Sequence, residues 1–386
     1  IKLGTEFRYL EGTAPQPPFQ GIMRFDYMEQ DKLRDNTRRW NMQYTHAGLL
    51  NPAFAGGGLG LALNINRASD DDYWKDFPLS NGVGVQRLLS TDGTLSWAKE
   101  FVTTSVTVQK WQTLQDQANP SNYITPPFDR VPQINARAMK NDLYGFDFTF
   151  DGQFSRFESK RITTCETNYE NCNASRVVSI AQLSRPFTTP YGYVTPKIAM
   201  NGRSYQFDGA LSTNGQSSAS VSVPTFSLDT GIAFERSSRW FDRSWVQTLE
   251  PRAFYVFTPY REQNYLPNYD SGGNSFNFAS IFTENAFGGY DRISDSKLLT
   301  VGATSRLIDP ETGAEGARFG LAQRLRMKEQ RVTMPDDVTA KTGISDILAG
   351  ASVALSRTWA VDTTVQYNQK TDNFLRRMVS GRYNPG

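Results

Sequence analysis

Histidine and cysteine are almost absent: the 386 residues hold one His and two Cys. So few ligands exclude a His/Cys metal cluster, a zinc ribbon and a CxxC redox pair. No run of about 18 uncharged apolar residues occurs, which excludes membrane-spanning helices. An excess of one charge is missing as well. With 41 basic and 39 acidic residues, no broad attraction to nucleic acid is expected. What abounds is aromatic. The 25 Phe, 17 Tyr and 7 Trp are too many for a disordered chain, although mean hydropathy is only −0.51.

Alternation at period 2 organises these residues. Leu59, Leu61, Leu63 and Ile65 point away from Gly60, Ala62, Asn64 and Asn66. Phe146, Phe148 and Phe150 alternate with Asp147, Thr149 and Asp151, and Phe226, Leu228 and Ile232 with Ser227, Asp229 and Glu235 on the far side of the same run. Ala317, Phe319, Leu321 and Leu325 are interleaved with Arg318 and Arg324, and Trp359, Val361 and Val365 with Asp362. No apolar face at helical spacing lasts beyond about two turns. The chain is all-β.

The pattern predicts about 17 strands, near 2–10, 21–29, 39–46, 58–68, 88–98, 101–113, 131–140, 144–158, 176–185, 192–203, 224–236, 246–258, 297–308, 317–328, 345–357, 359–369 and 374–383. Most are long enough to cross a bilayer on a tilt. Their connections alternate. Those near 69–87, 114–130, 159–175, 204–223, 259–296 and 329–344 are long; those near 99–100, 141–143 and 309–316 are short. An up-and-down transmembrane barrel has this rhythm, with long outer loops and tight inner turns. Trp40, Trp97, Trp111, Trp245 and Trp359 fall near strand ends, as interfacial belts require. A large soluble β-sandwich shares the alternation; a propeller would need a repeat of about 40–50 residues, and none is present. The chain opens mid-pattern at Ile1-Lys2-Leu3 and stops just after a strand, so it is read as a fragment.

Candidate chemistry is sparse. His46 lies on the stripe Trp40, Met42, Tyr44, His46, and without a nucleophile elbow it reads as a strand-end residue. Asp70-Asp71-Asp72 with Asp76 lacks the spacing of a Ca²⁺ loop and reads as a solvated acidic loop. Gly56-Gly57-Gly58-Leu59-Gly60 precedes a strand and lacks Gly-Lys-Ser/Thr, so it is no phosphate loop. Cys165 and Cys172, seven apart in a polar connection, suit a local disulfide in an oxidising compartment, with a free-thiol pair as the alternative. No cofactor is expected.

The stretch from 249 to 306 is the most distinctive. It holds Leu249-Glu250-Pro251-Arg252-Ala253-Phe254-Tyr255-Val256-Phe257, then Phe276-Asn277-Phe278-Ala279-Ser280-Ile281-Phe282, then Phe287-Gly288-Gly289-Tyr290-Asp291-Arg292-Ile293. With Glu6-Phe7-Arg8-Tyr9-Leu10, Arg39-Trp40 and Ser69-Asp70-Asp71-Asp72-Tyr73, it resembles the LptD (Imp/OstA) family of lipopolysaccharide-assembly barrels in Gram-negative outer membranes. The resemblance implies a barrel of roughly 26 strands, of which this chain supplies the central part of the β-barrel domain. A periplasmic jelly roll, the lateral gate and the family's inter-domain cysteines would lie outside it. It also implies an LptE-like lipoprotein plug, an LptA-like periplasmic bridge protein, lipopolysaccharide as cargo, outer-membrane lipid around the wall, and no covalent catalysis. A general or substrate-specific porin is the rival barrel, and a soluble carbohydrate-binding or hydrolytic β protein the rival of another class.

Two sets of residues are singled out. Asp147, Asp151, Asp229, Glu235, Arg318, Arg324 and Asp362 are expected to keep a lumen wet. The long segment Tyr260–Ser296 carries too much apolar area to be disordered, so it is expected to fold inward as a lid. In that lid Phe278, Ile281 and Phe282 would sit on a short helical turn against the plug or the wall. Gly288 and Gly289 would supply the backbone return, and Asp291 and Arg292 would pair with lumen charges or form a solvated turn. The loop rhythm sets an orientation. Single cysteines at Asp129 and Gly215 should label with an impermeant reagent on whole cells, and one at Gly313 should not; the reverse pattern would invert the topology.

Overall fold

The computed structural model describes residues 1–12, 19–80, 83–84, 86–159, 173–208, 217–240, 242–334, 337–356, 358–369 and 371–384. Cys165 and Cys172 lie outside the described residues. Seventeen long strands follow one another: β1 (Leu3–Glu11), β2 (Phe19–Asp31), β3 (Thr37–Phe54), β4 (Gly57–Ala68), β5 (Leu88–Lys99), β6 (Val102–Thr113), β7 (Asp129–Leu143), β8 (Phe146–Glu158), β9 (Ala174–Ser184), β10 (Gly192–Phe207), β11 (Ser218–Ile232), β12 (Arg243–Thr258), β13 (Ser296–Ile308), β14 (Glu315–Arg326), β15 (Ile347–Ala354), β16 (Trp359–Asn368) and β17 (Asn373–Tyr383). With three short segments they form one antiparallel sheet of 20 strands. Among the described residues no helix is long and apolar enough to cross a membrane.

The chain divides into two compact units, Ile1–Lys140 with Thr149–Ile180 and Gly202–Ser220, and Asn141–Phe148 with Ala181–Asn201 and Val221–Gly386. Tight turns join strands at one end. Ala55-Gly56 and Tyr144-Gly145 both adopt left-handed backbone, at φ 49° and 76° and at 55° and 83°. Two consecutive left-handed residues match the twist of the strands they connect. In each unit a longer connection, 69–87 in the first and 259–295 in the second, leaves the end of its strands opposite the tight turns.

Register partners share a face, so the pairing sorts the side chains into rows. In the second unit Asp229, Phe254, Thr300 and Arg324 form one row across β11 to β14. Glu235 on the short continuation of β11 (Phe234–Trp240) begins another, which runs through Thr248, Arg306, Arg318, Ser352 and Asp362. Arg318 and Arg324 alternate on β14 with Phe319, Leu321 and Leu325. Five of the seven residues expected to be polar and inward therefore share one face. Asp147 and Asp151 share a face of β8 with Gln153 and Ser155 by alternation, and Arg137 pairs with Asp151 at 3.5 Å.

The other face is apolar and uncovered. Leu321 is 55% exposed, Val301 49% and Phe319 47%, while Thr300 and Arg324 on the polar face are buried. The first unit repeats this arrangement: Leu61, Leu95, Val106 and Ile134 make an apolar row, and Ala62, Thr94, Thr107 and Gln133 the next row on the opposite face. Apolar side chains bare outside and polar ones covered inside invert the order of a soluble protein. Hydrocarbon against one face and water against the other account for it. Trp97 in the first unit, and Trp245 and Trp359 in the second, stand on the apolar face at tight-turn ends of β5, β12 and β16, the position of an interfacial belt.

Several strands run farther than the alternation predicts. Half of the expected long connection 204–223 is strand, because β10 reaches Phe207 and β11 starts at Ser218. There Arg203, Tyr205 and Phe207 are buried while Ser204 and Gln206 are exposed. Beyond the bilayer the outward face is polar again, which hides a strand from a pattern sought in apolar outward residues. β3 likewise extends to Phe54, and the strand expected over 224–236 is broken at Ala233.

Arginine at Leu321 would face hydrocarbon and should cost about 2–4 kcal/mol near the bilayer midplane. Arginine at Thr304, on the polar face beside Glu250, should cost within about 0.5 kcal/mol. The heat-modifiable folded fraction of the full-length protein in membranes should drop for Leu321→Arg and stay level for Thr304→Arg. Equal losses would contradict the assignment of faces.

Candidate functional site: a loop seated on the polar face

The connection from β12 to β13, residues 259–295, folds over the polar face of the second unit. Its stem is held by side chains that replace backbone pairing. Gln263, buried, donates from Nε2 to the Ile293 carbonyl at 2.8 Å and accepts the Ile293 N–H at 3.0 Å. The Asp291 carboxylate accepts the backbone N–H groups of Tyr269 and Asp270 at 2.7 and 2.8 Å. Arg292 donates to the carbonyls of Leu266 and Pro267 at 2.7 and 3.0 Å. Asp291 and Arg292 thus bind the loop to itself. Glu262 at its start is held below the usual carboxylate range, chiefly by the Tyr260 hydroxyl and then by the Asn264 N–H.

Gly272 and Gly273 pair with Gly288 and Phe287 to close a hairpin. Gly289 has φ +73°, and any Cβ there would lie 2.9 Å from Ser271 Cα, so only glycine fits. At the tip, Asn277 Oδ1 accepts the N–H groups of Ala279 and Ser280, and the Ile281 N–H reaches the Asn277 carbonyl at 2.9 Å. This is a single helical turn with an Asn cap.

The turn presses apolar side chains onto the wall. Ile281 is fully buried against Ala322 of β14 and Leu348 of β15. Burial of that kind is worth about 1.5–3 kcal/mol. Phe278 lies over Gly320 and Gly350, where added Cβ atoms would stand 3.4 and 3.0 Å from its ring. Phe282 packs edge-on to Phe254 at 6.4 Å and under the Arg252 guanidinium at 4.3 Å.

Polar ties flank this seat. Arg324 donates to the carbonyls of Ser280 (3.2 Å) and Ile281, and Thr300 Oγ1 donates to the Ile281 carbonyl at 3.2 Å. A buried guanidinium satisfied by carbonyls gives charge-assisted bonds to the wall. Glu284 pairs with Lys197 at 2.9 Å and accepts the Ser227 hydroxyl. Next to the loop a cavity of about 480 Å³ remains, lined by Tyr193, Glu250, Arg252, Thr304 and Arg306 among others. Its charges are matched in pairs, Asp229 with Arg252 at 2.6 Å and Glu250 with Arg306 at 3.0 Å. Nearby, Arg318 meets Glu315 at 2.8 Å and Asp362 meets Arg382 at 3.2 Å.

In the first unit the acidic run is half-exposed but not a free solvated loop, because arginines pair with it. Arg39, buried, holds Asp70, Asp31 and Asp76 at 2.7, 2.9 and 2.7 Å, and Arg34 binds Asp72 and Asp76. Burial pushes Asp76 up, but the two guanidinium groups outweigh it and keep its carboxyl below the usual range. The segment 70–76 is thereby drawn onto Arg39, a residue that the sequence marks only as part of a motif. Among the described residues no His/Cys/Asp/Glu group is arranged to hold a metal ion.

Arg252, Glu284 and the glycines Gly302, Gly320 and Gly350 were not singled out from sequence. Arg252 carried a signal, since it alternates with Pro251 and Ala253 on the polar side of β12. The glycines carried none, because their alignment depends on register between strands.

A two-faced antiparallel sheet with tight turns at one end, long loops at the other and one loop seated on its polar side is the wall of a transmembrane β-barrel of the bacterial outer-membrane type. The comparisons with known proteins narrow this class. The family model LptD, described as LPS transport system D, matches residues 37–386. The LPS-assembly protein LptD of Polaromonas sp. is 49% identical over 393 residues, which cover 100% of this chain and 46% of the relative. That of Albidiferax ferrireducens is 48% identical over 392 residues, again all of this chain and 47% of the relative, and that of Ralstonia nicotianae is 35% identical over 390 residues, with 100% and 46% covered. The chain belongs to the LptD family, whose place is the Gram-negative outer membrane. It spans about half the length of the curated relatives it matches.

Proposed function

We propose that this chain is the central wall of a lipopolysaccharide-assembly barrel and that the loop over 259–295 is its inward lid. The work is physical, with no covalent bond made or broken. An amphiphile with a charged sugar head and acyl tails needs water for one part and hydrocarbon for the other, and the two faces of the sheet supply both. The polar rows through Asp229, Glu235, Arg318 and Asp362, with Asp147 and Asp151, would line the hydrated side, while Arg324 on the same face holds the lid. Their ion pairs keep that side wet without a strong net field. An LptE-like lipoprotein would occupy the interior beside the lid, and an LptA-like bridge would deliver cargo from the periplasm. A diffusion porin is disfavoured by the family match over residues 37–386.

The observation that carries this reading is the seat of Phe278, Ile281 and Phe282 on Gly320, Gly350, Ala322 and Phe254. A loop built to hang outside would not need a matched floor on the polar face. Because Gly272 and Gly288 lie opposite each other, removal of residues 272–287 takes out the hairpin and its tip and leaves the stem ties of Gln263, Asp291 and Arg292 in place. In the full-length protein this deletion should lower plug co-purification several-fold and admit large antibiotics. Unchanged plug recovery and unchanged exclusion would mean that the loop is an appendage.

A further inference from the structure

The apolar face of the second unit is not uniform. Between β8 and β12 it sinks into a groove of about 510 Å³, walled by Phe148, Leu183, Ile198, Met200, Phe226 and Phe257. Ile198 is 57% exposed, and the floor is the backbone around Ala199 with the small side chain of Ala181. The size falls within the range of small-ligand sites. Its upper end coincides with the end of β12, where Phe257 stands opposite Lys297 on the same face of β13. Lys297 is exposed, and the Met327 N–H binds its carbonyl at 2.8 Å, which sets exposed Lys328 beside it. Neither lysine forms an ion pair with any described residue. Arg331 adds a third cation, stacked at 3.5 Å on Tyr260 just past the groove. An apolar channel that ends under these cations at the long-loop end of a membrane wall matches an acyl chain joined to an anionic head.

We infer that this outer-wall groove is a docking site for a phosphorylated glycolipid of the outer leaflet, its acyl chain against Phe226 and Phe257 and its phosphate at Lys297 and Lys328. This rests on the apolar face being the lipid face, and it places a glycolipid site outside the barrel, separate from the hydrated side used for passage. Each lysine near a membrane surface is worth about 1 kcal/mol toward an anionic lipid, or about five-fold.

The test is photo-crosslinking in the intact complex in cells, with benzoylphenylalanine at Phe226 or, as a control on the same face outside the groove, at Val301. Glycolipid and phospholipid adducts are separated by mass. The proposal expects glycolipid adducts at Phe226 to exceed those at Val301 by about five-fold or more, and to fall at least about five-fold in Lys297→Gln/Lys328→Gln. Equal adducts at both positions, indifference to the lysines, or phospholipid alone at Phe226 would overturn it. Absence of any lipid adduct at both positions would overturn the lipid-face assignment itself.

Discussion

The backbone of a sheet in hydrocarbon has no water to pair with, so every strand must bond to a neighbour on each side. Once that is met, side chains have only two places to go, and period 2 sends them alternately to lipid and to water. The rest of the molecule follows from this constraint. Val301, Phe319 and Leu321 can be bare because lipid covers them, while Thr300, Arg318 and Arg324 belong to rows that water or a folded loop must satisfy. Mean hydropathy is low for the same reason: only alternate residues of each strand need be apolar.

A wall that is polar on its inner side gives a loop little to bury against. The loop over 259–295 answers this by combining two kinds of contact. Gly302, Gly320 and Gly350 remove side chains from three adjacent strands and open a floor for Phe278 and Phe282. Arg324 and Thr300 then tie the carbonyls of the turn that no helix continues to satisfy. A buried guanidinium is costly without partners, so loss of the turn would leave Arg324 facing water or a replacement acceptor. Seat and tie therefore depend on one another.

Much of this was legible in sequence. All seventeen long strands were visible because membrane alternation is strict between the two interfaces. Their ends were less visible because the rule lapses outside the bilayer, as at Arg203–Phe207, where the buried residues face inward and the outward ones are polar. The burial of Ile281 and the left-handed Gly289 agree with the apolar content and glycines of a long loop. The glycine floor was illegible, since Gly320 and Gly350 meet only through the register of β14 with β15. The acidic run misled because charge alone does not reveal a buried partner, and Arg39 lies some thirty residues upstream in β3.

The account turns on β13 having lipid on one side and, over its upper half, the seated loop on the other. Spin labels placed singly from Leu298 to Leu307 in the full-length protein in lipid vesicles report this through collision with oxygen, which partitions into lipid, and with a water-soluble nickel chelate. Positions 299, 301 and 303 should favour oxygen, 304 and 306 the nickel chelate, and 298, 300 and 302 should be shielded from both. Even positions equally open to the nickel chelate along the whole strand would remove the loop from the wall, and loss of the two-residue period would contradict the two-faced sheet itself.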